Sequence, residues 1–93
     1  MHAIFVETTT GDVGAEEARE AIMKMAVPVF REAGATSGFW FMSDSGRGNA
    51  LILFDSEEKA RAAASFMRPG APTRTMPEVM FKSVEVCQVF AQF

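Results

Sequence analysis

Two apolar runs joined by a polar turn lie at the centre of the chain. Residues 39–42 and 50–54 are aromatic, branched or otherwise apolar, whereas residues 43–49 are Ser, Asp, Gly, Arg and Asn. This pattern predicts a β-hairpin, because Gly supplies positive φ values and Asp and Asn hydrogen-bond to their own backbone. Neither run alternates apolar with polar positions, so each predicted strand needs a cover on both faces.

Helical periodicity predicts a first helix over residues 15–33, with Asp12 or Gly14 as its cap and Gly34 at its end. Pro28 lies inside this span. A proline there removes one hydrogen bond and clashes with the preceding turn, so we expect a kink or break at residues 24–27. Spacings of three and four predict a buried stripe of Ala18, Ile22, Met25, Val29 and Ala33.

A second helix is predicted directly after the hairpin. Residues 55–58, Asp-Ser-Glu-Glu, match a capping box in which Asp55 accepts from the first turn and Glu58 reaches back. The helix is expected to run to about Met67. Its inward stripe is mostly small, which lets the helix lie close to a sheet, and consists of Ala60, Ala63, Ala64 and Met67.

The predicted order is β-α-β-β-α-β, with strands near residues 2–7, 38–43, 48–54 and 80–91. This is the ferredoxin-like α+β plan, a four-stranded antiparallel sheet with two helices on one face, in a single domain over residues 1–93. Alternation puts Leu51 and Leu53 on one side of their strand, and we expect Phe5 beside Leu51 on the face away from the helices. A second subunit, a ligand or nucleic-acid bases are the three alternatives for covering that face.

Composition narrows these alternatives. The 93 residues carry a formal net charge of −3, so no basic field attracts phosphates, and nucleic acid is not expected. The single cysteine, Cys87, excludes an internal disulfide and fits a reducing cytosol, and the chain has no Cys/His spacing for structural zinc. No apolar run approaches the roughly 20 residues of a membrane span, and the start lacks a leader pattern. The sequence predicts a soluble, cytoplasmic protein without a membrane segment.

Three segments carry a resemblance to a known superfamily: residues 34–41, residues 50–60 (Ala-Leu-Ile-Leu-Phe-Asp-Ser-Glu-Glu-Lys-Ala) and residues 83–86 (Ser-Val-Glu-Val). Over nearly its whole length the chain resembles the dimeric α+β barrel superfamily. That group includes antibiotic-biosynthesis monooxygenase-like proteins and many small bacterial members whose function is not established. The resemblance implies a homodimer packed sheet against sheet, with a pocket between sheet and helices or at the barrel mouth.

The catalytic residues of characterised members have no counterparts here. Haem-degrading relatives have a Trp at the end of the third strand and a His in the next helix, whereas this chain has Phe54 there and no His after His2. Cofactor-free monooxygenases use Asn, Trp and Tyr, and this chain has no Tyr; Trp40 and Asn49 remain. We therefore assign no catalytic residue and expect no metal, haem or other cofactor.

The RNA-recognition motif shares this topology, and residues 47–54 follow its third-strand signature in part. That module stacks bases on aromatic side chains at two positions of the signature, which are Asn49 and Leu51 here. RNA binding is therefore not expected.

Isolated polar residues give no catalytic constellation. His2 is interpreted as a strand-end side chain, Cys87 as a buried inert thiol and Arg47 as a solvent-exposed turn residue. Glu7 and Glu85 would be paired carboxylates if they met across the sheet, but single Glu residues on short strands are usually solvated.

Two functions remain open: a homodimer that binds a small apolar or aromatic molecule without metal or haem, and a cofactor-free monooxygenase or cyclase-type enzyme acting on a planar aromatic. The predicted dimer interface contains Phe5, Leu51 and Leu53. The predicted ligand pocket consists of Phe5, Trp40, Asn49, Leu51 and Cys87.

Overall fold

A computed structural model describes residues 1–9, 14–44, 46–73, 76 and 78–93. Its strands are β1 (His2–Thr8), β2 (Ala35–Met42), β3 (Gly48–Phe54) and β4 (Phe81–Gln88). Its helical segments are α1 (Ala15–Ala21), a π-helical segment (Ile22–Ala26), α2 (Val27–Glu32) and α3 (Glu57–Ala64). The predicted α+β class and element order are confirmed.

The four strands form one antiparallel sheet in the order β2-β3-β1-β4. Both helices pack on one face of this sheet. The core there joins strand residues to α3 and to the turn after it, and its buried members are Ile4, Val6, Ala50, Ile52, Phe54, Ala60, Ala63 and Met67. This is the ferredoxin-like arrangement that the apolar pattern predicted. None of the described helices combines the length and apolarity needed to cross a bilayer.

The first helix carries its predicted distortion. The segments α1 and α2 are joined by the π-helical segment, where the Val27 N–H donates to the Ile22 carbonyl, five residues back. Pro28 stands one residue later and has no N–H to donate to Lys24. A π-helical turn widens the helix locally, so the backbone continues past the proline without breaking. Gly34, at φ 99°, follows the end of the helix as predicted.

The predicted inward stripe of this helix is wrong in its second half. Met25 is 50% exposed and Val29 is 62% exposed, whereas Ala26 is buried and Phe30 packs against the core. Ala33 is also exposed. The wide π turn takes up one additional residue, and this shifts the phase of every later position by one.

The cap of α3 is also corrected. Ser56 is the N-cap residue, and its Oγ accepts a hydrogen bond from the Lys59 N–H at 3.2 Å. Asp55, the predicted cap, instead pairs with the Lys59 ammonium group at 3.2 Å. The helix ends at Ala64 rather than near Met67, and tighter turn bonds follow it. The predicted small inward stripe is confirmed, with Ala60, Ala63 and Met67 buried.

Two strand ends differ from the prediction. Strand β2 begins at Ala35 rather than at residue 38, and β4 ends at Gln88 rather than at residue 91. Directly after β4, the Val89 N–H donates to the Met1 carbonyl at 3.0 Å. The apolar residues that follow do not extend the strand, and Phe90 and Phe93 are fully exposed.

Candidate functional site

The candidate site is the face of the sheet opposite the helices, here called the open face. The register pairs Phe5 with Leu51 on one side and with Glu85 on the other, and Phe39 with Leu51. Residues paired in this way point to the same side of an antiparallel sheet. Because Ile4 and Val6 point to the helices, Phe5 and its cross-strand partners lie on the open face.

The open face carries a cluster of large apolar side chains that we call the aromatic patch: Phe5, Phe39, Phe41 and Leu51. Phe39 is 57% exposed and Phe41 is 48% exposed, while Phe5 and Leu51 are half-buried. The patch is concentrated on β2 and β3. Toward β4 the same face carries the small side chains Ser83 and Cys87 and the exposed carboxylate of Glu85, beside Ala3, which is fully buried. The open face thus has a bulky apolar half and a smaller, more polar half.

Four of the five predicted pocket residues lie on this face. The register places Phe5, Leu51, Asn49 and Cys87 there, and Phe5 and Leu51 are direct partners. Trp40 does not join them. It lies on the helix face, where its ring centroid is 6.1 Å from that of Phe30 at an interplanar angle of 55°. Trp40 is therefore part of the helix-side packing and not of the predicted pocket.

Asn49 and Cys87 have local partners. The Asn49 side-chain amide donates to the Arg47 carbonyl at 3.1 Å, a local contact at the end of the β2–β3 loop. The Cys87 thiol lies 3.9 Å from the Glu85 carbonyl of its own strand. Arg47 is exposed at the loop, as predicted. These contacts stabilise the strand ends, and both side chains still lie on the open face.

The predicted interface residues share the open face but differ in exposure. Phe5 and Leu51 are half-buried, whereas Leu53 is only 9% exposed within one chain. A partner on this face would therefore gain little from Leu53. A partner would cover more exposed surface on Phe39 and Phe41, and the sequence did not predict these two residues to be in the interface. Their cross-strand pairing with Leu51 and Asn49 is the signal that identifies them.

The titratable side chains of the described residues do not form one constellation. His2 lies at the helix side, with Nε2 3.8 Å from Oε1 of Glu57 in α3. The hydrogen bond from Arg61, the charge of Arg61 and the charge of His2, in that order, lower the pKa of Glu57 from its ordinary value of 4.5. Glu7 lies on the open face beside Arg47, at 3.8 Å, and its cross-strand partner on β4 is Ser83 rather than Glu85. Within the described part of the chain, no group of three or more His, Cys, Asp or Glu side chains is arranged to hold a metal ion.

Comparison of the chain with protein-family models, with curated proteins and with solved structures gave no match. The fold is thus defined by the sheet order and the packing of its helices. Membership of the dimeric α+β barrel superfamily stays a prediction.

Proposed function

We propose that this protein is a homodimer of the dimeric α+β barrel type, packed sheet against sheet, that holds a small and mostly apolar molecule without metal or haem. The observation that carries the proposal is the aromatic patch. Four large apolar side chains lie together on a face that no described helix covers, and two of them are about half exposed. A folded domain gains by burying such a surface.

The energetic argument favours a second copy of the chain. Fully burying one large apolar side chain contributes about 1.5–3 kcal/mol, and Phe39 and Phe41, each about half exposed, still have roughly half of that to gain in each subunit. A two-fold axis buries the same patch on both subunits at once. Nucleic acid is a poor occupant, because Glu7 and Glu85 lie on the same face and would repel phosphates.

The unequal halves of the open face support a ligand space between the two sheets. If the aromatic halves make the main contact, the small side chains Ser83 and Cys87, on either side of the exposed Glu85, leave room beside it. Phe5, Leu51 and Cys87 would then line the space, together with Asn49. Phe5, Leu51 and Cys87 give this space mostly apolar walls, which suit an apolar or aromatic molecule, and Glu85 adds one carboxylate on the β4 side.

The alternative, a cofactor-free monooxygenase or cyclase-type enzyme, gains no support from the geometry. Such enzymes use Asn, Trp and Tyr side chains, and of these this chain has only Asn49 and Trp40. They point to opposite faces of the sheet, so they do not contact one ligand together. We therefore keep ligand binding as the proposal.

Sedimentation velocity at micromolar concentration tests the dimer. We expect the wild type to sediment as a dimer, and Phe39→Glu and Leu51→Glu to be monomers, because each places an unpaired carboxylate in an apolar interface. The matched control is Phe66→Glu, since Phe66 is 75% exposed and lies after α3, away from the sheet. It should leave the dimer intact. A monomeric wild type, or a folded Phe39→Glu variant that still dimerises, contradicts the proposal.

Native mass spectrometry of freshly purified protein tests the ligand. We expect an organic molecule of low mass that is retained by the wild-type dimer and lost from Leu51→Glu. Stoichiometric iron or zinc, or a Soret band in the absorption spectrum, would refute binding without metal or haem.

A further inference from the structure

A second feature lies at the end of the sheet where β1 finishes and where β3 and β4 begin. It is an open depression with a volume of about 310 Å³, lined by Thr8, Thr9, Arg47 and Lys82. The residues that line this concave surface thus include two cationic residues and two hydroxyl-bearing residues. We infer that this cationic depression binds the carboxylate of a small organic acid.

The two threonines are held in place by the backbone. The Thr9 N–H donates to the Met80 carbonyl, and the Met80 N–H donates back to Thr9 Oγ1, both at 2.9 Å. The Thr8 hydroxyl donates to the Gly48 carbonyl at 3.2 Å. A hydroxyl has one donor hydrogen and two acceptor positions. Thr9 uses its oxygen as an acceptor in this bond, so its hydroxyl hydrogen is left to donate to a carboxylate.

The charges of the depression are only partly compensated. Arg47 Nη1 lies 3.8 Å from Glu7 Oε2, a loose contact that leaves most of the guanidinium donors unused. Lys82 has no ion-pair partner among the described residues. Arg47, Lys82 and Glu7 together leave one positive charge. One carboxylate balances this charge, whereas a phosphate dianion would exceed it.

The position of the depression indicates what the rest of the acid is. Glu7 belongs to the open face, where it is the cross-strand partner of Asn49, and Phe41 pairs with Asn49 from the other side. Because Arg47 contacts Glu7, the Arg47 end of the depression lies next to the end of the aromatic patch. We specify an aromatic carboxylate on this basis, and this part of the inference rests on the proposed function.

Titration of the 15N-labelled protein with benzoate, followed by NMR, tests the inference, and benzamide serves as the uncharged probe. We expect benzoate to shift the Thr9 and Lys82 amides and benzamide to bind at least about tenfold more weakly, since a charge-assisted hydrogen bond contributes about 1.5–3 kcal/mol. Lys82→Gln should weaken benzoate binding by about tenfold, and Glu7→Gln should strengthen it, because Glu7 competes for Arg47. Lys24→Gln, an exposed cation on the first helix, is the matched control and should bind like the wild type.

The results of these titrations test the carboxylate site independently of the proposed dimer. Equal binding of benzoate and benzamide, an unchanged affinity in Lys82→Gln, or tighter binding of inorganic phosphate than of benzoate would overturn the carboxylate site. If the protein sediments as a monomer and acetate still shifts the Thr9 and Lys82 amides, the anion contact is upheld and the sheet-to-sheet dimer is rejected.

Discussion

The indole of Trp40 lies over the backbone of Gly38. An ideal Cβ built on Gly38 would be 3.0 Å from Cζ3 of Trp40 and 3.3 Å from Cη2. Phe30 from α2 contacts the same indole, with its ring centroid 6.1 Å away. The absence of a side chain at Gly38 therefore provides the space in which the only tryptophan of the chain packs.

This contact predicts the effect of Gly38→Val. Valine is a better strand residue than glycine, so without a clash the variant would gain stability. Because the added methyl groups meet the indole, we expect the free energy of unfolding to fall by about 1–3 kcal/mol and the tryptophan emission to shift to longer wavelength. Urea denaturation at one fixed protein concentration, with fluorescence detection, measures both.

The control is Ser37→Val. The Ser37 side chain is exposed on the other face, so this variant should leave the emission maximum unchanged. A more stable Gly38→Val variant with unshifted emission would show that the indole is not confined there.

The second prediction concerns the start of α3. Ser56→Ala removes the oxygen that accepts from the Lys59 N–H, and we expect the free energy of unfolding to fall by about 1 kcal/mol. Asp55→Ala removes only an exposed ion pair with Lys59 and should cost at most about 0.5 kcal/mol. Chemical denaturation of the two variants decides between them. A larger loss in Asp55→Ala than in Ser56→Ala would return the capping role to Asp55.

The third prediction concerns pH. The pKa of Glu57 is lowered first by the hydrogen bond from Arg61 Nε, at 2.9 Å, and then by the charges of Arg61 and His2. Arg61→Gln should therefore raise the pKa of Glu57 toward 4.5, and His2→Gln should raise it by less. A pH titration followed by NMR of the side-chain carboxyl carbon measures this. A pKa that does not change in Arg61→Gln would contradict the assignment.

The sign of the linked stability follows from the direction of this shift. A carboxyl whose folded-state pKa is lowered stabilises the fold above its unfolded pKa, and this contribution is lost as the pH falls through the folded value. Stability should thus decrease on acidification below 4.5, and the decrease should be smaller in Glu57→Gln. Denaturation curves at pH 6 and pH 3, compared for the two proteins, test the sign.

The strands and their order could be predicted from sequence, because their apolar runs are short and are separated by turn residues. The open face could be predicted as well, since Leu51 and Phe5 are apolar at positions that the helices do not cover. The face of Trp40 could not. Five residues, 43–47, separate the two strands, and the sequence does not show which turn, and therefore which strand register, they adopt. Without the register, the sequence did not show whether Trp40 or the pair Phe39 and Phe41 faces the helices.

The helix predictions that proved wrong failed for local physical reasons. Asp55 and Ser56 are both good N-cap residues, and their order in the sequence does not decide which one adopts the extended backbone of the cap. Met25 and Val29 follow the spacing of a regular α-helix, which the chain leaves at Ile22. Pro28 indicated where the distortion would occur. Whether a helix bends or widens at a proline depends on how the helix packs. Here Phe30 packs against the core in the phase that widening produces.

The π-helical segment also predicts where related chains differ in sequence length. A turn that holds one surplus residue is where a single-residue insertion or deletion can be absorbed, because the helix on either side keeps its position. An ancestor with one residue fewer between Ile22 and Ala26 would have a regular α-helix there, with Phe30 still against the sheet. Related chains should accordingly differ in length at this turn before they differ in length anywhere else in the helix, and the proline is expected to accompany the longer form.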